Sequence, residues 1–264
     1  MSLKRALDRL RLLGLARTAR DLLRAGAFWR RNARYRRPGA PDGLPIPPAR
    51  LVILVTGTPD IGWFLEGGAR AAESIRSVLG KNGIDIGQTR ALLDFGCGCG
   101  RVARHWQRLP GEVHGCDFNR RLVGWCRRRL RFGRFEVNAL RPPLPYPDRR
   151  FDLVYALSVF THLPEDLQGP WMDELGRVLA PGGHVILSVH GQRYVDELSP
   201  AERARFEEGR LVVRQEGSAG TNVCGAYHPF EYVRQTLARA FTLVDFLPEG
   251  AHGNPHQDLV LLRR

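Results

Sequence analysis

The stretch Asp94-Phe95-Gly96-Cys97-Gly98-Cys99-Gly100-Arg101 sets one acid ahead of three glycines at every second position. Glycines so spaced make a turn too tight for side chains and let a ligand approach the backbone closely. Ala91-Leu92-Leu93, just before the acid, reads as a short buried parallel strand. Val102, Ala103 and Trp106 then resume at helical spacing, which predicts a helix from near Arg101 to about Arg108, closed by Pro110-Gly111. Strand, turn and helix form half of a βαβ unit. The helix start favours a negative group, and the acid at the strand end favours a positive one, so the pair suits a ligand carrying both an amine and a carboxylate. The frame Gly98-Cys99-Gly100-Arg101-Val102-Ala103 also fits the G-x-G-x-x-G/A dinucleotide fingerprint, with Asp117 about 20 residues on. The turn alone leaves both ligand classes open.

Val113-His114-Gly115-Cys116-Asp117 reads as a second strand closed by an acid. At the carboxyl edge of the sheet, beside the glycine turn, that acid can accept two hydrogen bonds from a ribose diol; capping the helix that follows Asn119 is its competing role. Ligands of open parallel sheets bind at the carboxyl ends of the strands, and that rule sorts the histidines. His162 follows the fourth strand and His190 ends the fifth, while His252 and His256 occupy the last hairpin loop and His228 closes an insertion.

The remaining chain must position these groups. A length of 264 residues and 43% hydrophobic content allow one α/β domain with an extension, or two small domains. No run of about 18 apolar residues occurs, and the N-terminus lacks a continuous apolar segment of the secretory type. Five cysteines with no second ligand pair at zinc spacing disfavour a metal site and fit a reducing cytoplasm. The expected location is cytoplasmic, with peripheral membrane association as the alternative. Of the net charge of +13, residues 1–37 carry +10, from 12 Lys or Arg against Asp8 and Asp21. Residues 3–37 set leucines among arginines as one or two basic amphipathic helices would, suited to covering the domain edge or to docking on a membrane or a protein. Nucleic acid is disfavoured as a partner. Pro38-Gly39 to Pro48 reads as a linker. This divides the chain into residues 1–45, a basic helical arm and Pro-rich linker, and residues 46–264, the folded domain.

Along that domain, residues 63–79 read as a helix whose Trp63 and Phe64 belong to the core or line a lid, with core favoured. Residues 122–130, 165–179 and 230–240 read as further helices. Strands are expected at 135–137, 151–158, 184–189, 241–247 and 259–262. Residues 192–227, with Glu197, Glu202, Glu207 and Glu208 among arginines, read as an insertion carrying a solvated helix, suited to a substrate cap.

Taken together, Asp94-x-Gly96-x-Gly98-x-Gly100, the strand Phe151-Asp152-Leu153-Val154 and the turn Leu179-Ala180-Pro181-Gly182-Gly183 resemble the class I S-adenosylmethionine (SAM)-dependent methyltransferases over roughly residues 50–264. The later two segments have no counterpart in dehydrogenases. The resemblance implies a doubly wound, mostly parallel seven-stranded α/β sheet of Rossmann-like form. It implies SAM as cofactor, with Asp94, Gly96, Gly98 and Gly100 around the methionine part, Asp117 at the ribose and Phe118 in the same cofactor set. Asn138, Ala139 and Leu140 fall near adenine, where the family's usual Asp is absent, and Ser158 completes the set. Arg101 either pairs with the methionine carboxylate or faces solvent.

Methyl transfer to a hydroxyl needs a base, and imidazole has a suitable pKa. His162, His228 and His252 are the candidates, ahead of His190 and His256, each with a structural hydrogen bond as the competing role. Ala156-Leu157-Ser158-Val159 stands where an adenine-amino methyltransferase carries Asp/Asn-Pro-Pro-Tyr/Phe, and no Pro-Cys nucleophile occurs. No carboxylate cluster of the metal-dependent catechol type is present either. A small-molecule or glycan hydroxyl or amine remains as acceptor. An NAD(P)-binding oxidoreductase and a non-catalytic SAM-binding scaffold docked through its arm are the alternatives.

Overall fold

The computed structural model describes residues 28–35 and 39–264. Most of the arm expected over residues 3–37 therefore lies outside the described residues; its last part forms α1 (Trp29–Ala33). The elements that follow are α2 (Ala49–Thr56), α3 (Ile61–Lys81), β1 (Ala91–Phe95), β2 (Glu112–Asp117), α4 (Arg120–Arg129), β3 (Gly133–Val137) and β4 (Phe151–Ala156). Then come α5 (Glu165–Val178), β5 (Leu179–His190), α6 (Pro200–Glu207), β6 (Val212–Arg214), β7 (Gly225–Tyr227), β8 (Thr242–Leu247) and β9 (Gln257–Arg263).

β1 to β5 pair in parallel in the order β3-β2-β1-β4-β5, and β9 lies antiparallel between β5 and β8. These are the seven strands of the expected doubly wound sheet. β1 is buried along its whole length, as a central strand covered on both faces must be. Leu93 and Phe95 pack toward α5, while Leu92 packs toward α3 and Trp106. Phe64 of α3 is fully buried in the core, and Leu122, Val123 and Cys126 turn the inner face of α4 against the glycine turn.

The insertion adds two strands to the sheet. β4 makes its last rung with β5 at Ala156, opposite Leu187, whereas three residues further His190 of β5 pairs with Tyr227 of β7. The β6–β7 hairpin thus takes over beside β5 where β4 ends, directly above the carboxyl edge on which ligands bind.

Three local expectations change. The helix predicted after the glycine turn is only a 3-10 turn, Ala103–Trp106. Side chains there are drawn inward by distant partners, Arg104 to Asp42 and the Trp106 indole N–H to the Tyr155 hydroxyl, 3.0 Å away. Helix α3 also abuts this segment: a Cβ on Gly68 would lie 2.3 Å from the Arg101 carbonyl. The helix expected at 230–240 is a short α turn, Phe230–Tyr232, running into a π turn, Val233–Leu237. Strand β5 begins at Leu179, so Pro181-Gly182-Gly183 is a break in its pairing with β4 rather than a turn ahead of it.

The proline-rich segment is packed from Gly39 onward. Asp42 forms an ion pair with Arg104, whose side chain is 1% exposed and also donates to the carbonyls of Leu44 (3.2 Å) and Pro45 (3.4 Å). Burial raises the Asp42 pKa, but the Arg104 guanidinium outweighs it and holds the carboxyl below its usual range. From α1, Asn32 donates to the Pro59 carbonyl (2.8 Å) and accepts from the Ile61 N–H (2.9 Å), fixing the entry to α3.

Candidate functional site

Between β1 and the 3-10 turn, Gly96, Gly98 and Gly100 all adopt positive φ (82°, 55° and 80°), a region L side chains rarely enter. Space forbids side chains as well. A Cβ on Gly96 would come within 2.4 Å of Val159, and one on Gly98 within 2.8 Å of Val55. The turn is therefore a bare backbone cradle set between α2 and the loop after β4.

Asp94 closes β1 beneath that cradle, and its Oδ2 is sealed from solvent with no hydrogen-bond partner. Burial pushes its pKa up to about 7, against the Tyr155 hydroxyl and the Arg101 charge. A carboxyl so placed gains most from a cationic ligand, because an ammonium would supply the missing donor. Arg101 is turned away from the turn: it donates to the Gly253 carbonyl (3.2 Å) and to Asn254 in the β8–β9 loop. Burial lowers its pKa to about 10, and Asp94 opposes that shift.

Asp117 does two things at once. Its Oδ2 accepts from the Gly98 N–H (3.0 Å) and its Oδ1 from the Asn119 N–H (2.7 Å), so it braces the glycine turn and the start of α4. Four lone-pair sites leave it able to accept further bonds at the cradle's edge. Burial raises its pKa while these two N–H groups lower it. Asn138 donates to the Ala139 carbonyl (2.7 Å) and keeps a buried Oδ1 without a donor. Phe118 and Leu140 flank the opening and are exposed.

Ser158 lies two residues beyond β4, with φ 56°. Its N–H donates to the Ser188 hydroxyl (2.7 Å), which donates to the Gln257 Oε1 (2.7 Å), and the Gln257 Nε2 returns to the Ser158 hydroxyl (3.0 Å). This closed ring ties the tops of β4, β5 and β9 together. Ser188 and Gln257 carry no sequence signal, because only the pairing of β5 with β9 brings them together.

The five histidines separate in space. His162 lies on the 3-10 turn Phe160–His162, whose own start at Val159 touches Gly96. Its Nδ1 is 2.7 Å from the Cys224 carbonyl, a contact that requires the proton on Nδ1 and leaves Nε2 a lone pair. Burial lowers its pKa, and the Cys224 carbonyl opposes this. His190 is satisfied on both nitrogens, by the Ala226 carbonyl (3.1 Å) and by Gln257 (3.3 Å), and burial lowers its pKa to about 4. His228 is fully buried with Nε2 on Gln168 (3.0 Å), and burial lowers its pKa to about 3. His252 is exposed beside α3, its backbone N–H on Ser74, and His256 pairs with Glu249. Only His162 and His190 meet, with ring centroids 6.4 Å apart.

Those two rings line a cavity of about 550 Å3, walled on the far side by Tyr227, Cys224 and the Glu202–Arg214 pair. Glu202 and Arg214 are doubly bonded (2.8 and 2.6 Å), so the helix that looked solvated in the sequence supplies a carboxylate to the cavity wall. Among the described residues, no group of three His, Cys, Asp or Glu side chains comes together to hold a metal ion.

A family model described as a methyltransferase domain matches residues 93–187, the segment from β1 through most of β5. That segment is a methyltransferase domain of the class I type. The curated relatives include the methyltransferase GfsG of Streptomyces halstedii, 31% identical over 131 residues, covering 47% of this chain and 44% of that protein. They also include the malonyl-[acyl-carrier protein] O-methyltransferase of Yersinia pestis, 28% identical over 142 residues, covering 50% and 52%. The chain thus spans about half the length of the curated relatives it matches. Among solved structures, the 1,6-didemethyltoxoflavin-N1-methyltransferase of Burkholderia thailandensis, with S-adenosylhomocysteine bound, superposes with a TM-score of 0.55 at 19% identity. That match covers 81% of this chain and 85% of that one. A SAM-dependent methyltransferase of Mesorhizobium loti superposes with a TM-score of 0.54 at 20% identity, over 72% and 98%. These likenesses establish the Rossmann-like methyltransferase fold and, with the family model, set aside the dehydrogenase reading of the glycines. The cofactor is SAM. The bare glycine cradle, the donorless Asp94 oxygen and the donorless Asn138 oxygen fit its aminoacyl and adenine ends.

Proposed function

We propose that this methyltransferase moves the methyl group of SAM to a hydroxyl, or to an amine, of a small molecule or glycan seated in the cavity beside His162. The observation that carries this reading is His162 itself. Its Nδ1 is locked to a backbone carbonyl, its Nε2 is left as a lone pair, and it stands one 3-10 turn from the residue that touches the glycine cradle. Relatives named for O-methylation of a malonyl-[acyl-carrier protein] and N-methylation of ajmaline agree with an acceptor of this kind.

When bound, SAM supplies an electrophilic methyl on a sulfonium sulfur. Asp94 would balance the ammonium, the glycine turn would bring backbone against the methionine part, and Asp117 with Phe118 would take the ribose. Asn138, Ala139 and Leu140 would border adenine, with Ser158 just beyond β4. At the acceptor, His162 Nε2 would take the hydroxyl proton and so free the oxygen to receive the methyl group. Depression of its pKa by burial keeps the imidazole neutral and ready at physiological pH. Of the three histidines expected from sequence, His228 lacks access and His252 lies beside α3, so the geometry favours His162.

Residues 46–264 form the catalytic domain in this reading, with 192–227 as its acceptor wall and residues 1–45 as an arm docking on a membrane or a protein. Among the described residues, no helix is long and apolar enough to cross a membrane. Calorimetry with SAM, followed by a screen of acceptors with labelled methyl donor and mass spectrometry of the product, tests the whole. Tight SAM binding with no labelled product from any hydroxyl or amine would point to the scaffold alternative instead.

A further inference from the structure

Six large apolar residues are exposed among the described residues, and four of them, Leu54, Phe118, Leu140 and Val223, ring the mouth of the cleft. One loop, residues 216–224, gathers them. A Cβ on Gly220 would lie 2.9 Å from Leu140 and 3.1 Å from Phe118, so both side chains lean on that glycine. Two residues on, the Asn222 amide donates to the Leu54 carbonyl (3.2 Å), and the next residue, Val223, is 51% exposed. The same loop is tied to the site, because the Gly220 N–H donates to the His162 carbonyl (2.8 Å).

Charge accompanies this ring. Arg120 and Arg121 open α4 two residues after Phe118, with no acid in the first turn. Cations at a helix start oppose the macrodipole, and neither arginine has an ion pair among the described residues, nor do Arg128, Arg129 and Arg131 further along. By contrast Arg127 and Arg134 on the same stretch are paired, with Glu136 and Glu112. The chain thus places unpaired cations where its own structure disfavours them, next to exposed apolar side chains.

We propose that this rim seats the protein on an anionic lipid surface, with the cleft mouth facing the bilayer. Apolar side chains for the acyl boundary, flanked by arginines for the headgroups, are what an interfacial surface needs. The ring encloses an opening rather than a filled centre. A deformable lipid surface can seat such a ring, whereas a protein partner needs a packed central contact. The inference rests on the proposed function only for what the mouth admits, and its test uses no cofactor, so the two can fail separately.

The test is co-sedimentation of the full chain with vesicles of phosphatidylcholine, with and without phosphatidylglycerol. Binding is expected only with the anionic lipid, and release is expected as salt rises. Arg120→Glu with Arg121→Glu is expected to lower partitioning by on the order of a hundredfold, and Leu54→Glu by on the order of tenfold. An unshifted thermal unfolding midpoint serves as the check of fold. Vesicle binding that both variants retain would assign docking to residues 1–27 and overturn the rim. Absence of binding to either vesicle also overturns it, leaving a protein as the rim's partner.

Discussion

The glycine cradle and the acceptor wall meet at Val159, yet they are held in place over very different distances along the chain. The cradle is local: Asp94 to Gly100 shape their own backbone, and the bond that braces them, Asp117 to Gly98, spans 19 residues. The wall is assembled from afar. His162 is oriented by Cys224, 62 residues on, and the Ser188–Gln257 bond beneath it spans 69. The cofactor half is thus preformed by short-range geometry. The acceptor half depends on the β6–β7 hairpin reaching β5. On the proposed reading, such a division would let a constant donor be served by a fixed motif while the insertion sets the acceptor.

The strongest way to separate the halves is His162→Ala. Turnover should fall by roughly 10²–10⁴-fold while the SAM dissociation constant, read by calorimetry, stays within about twofold. Equal losses in both quantities would show that the wall and the cradle are one unit. Second in size is Asp42→Ala, which strands the buried Arg104 guanidinium and should cost about 3 kcal/mol in denaturant unfolding. A loss under about 1 kcal/mol would mean that residues 39–45 are as dispensable as a linker, in line with a domain boundary at residue 46.

Asp94→Asn should weaken SAM by at least about tenfold, since a charged acceptor for the ammonium is lost, with the acceptor cavity untouched. It should also change pH behaviour without ligand. Asp94 has a folded pKa raised to about 7 from 3.8, so the folded state holds its proton longer than the unfolded chain does. Wild-type stability must then fall as pH rises from about 4 to about 7, and Asp94→Asn should flatten that slope in thermal melts across the window. Smallest is the acid limb of the pH–rate profile. Because burial depresses the His162 pKa, half-maximal rate should come below the usual imidazole value of about 6.5. An acid limb centred above that value would exclude His162 as the base.

The fold was largely legible because its signals are periodic or local. Buried apolar runs marked β1, β2, β4 and β5, and the acid-glycine spacing marked the turn. The helix expected after Arg101 failed because Arg104 and Trp106 answer to Asp42 and Tyr155 rather than to their neighbours in sequence. The insertion was legible as an insertion, but Glu202 looked solvated until Arg214 came to face it across the α6–β6 turn.

By itself the amino-acid sequence determined which backbone could turn at Gly96, Gly98 and Gly100 and which acids would close β1 and β2. Dihedral freedom and strand alternation are properties of neighbouring residues. Only the tertiary structure decided how each histidine is bonded. Five imidazoles of one chemistry differ solely in what surrounds each nitrogen, and that is set by strands paired across many tens of residues. A carbonyl at Cys224 leaves Nε2 of His162 a lone pair, Gln257 occupies that of His190, and His228 donates from Nε2 to Gln168 and keeps its lone pair on a sealed Nδ1.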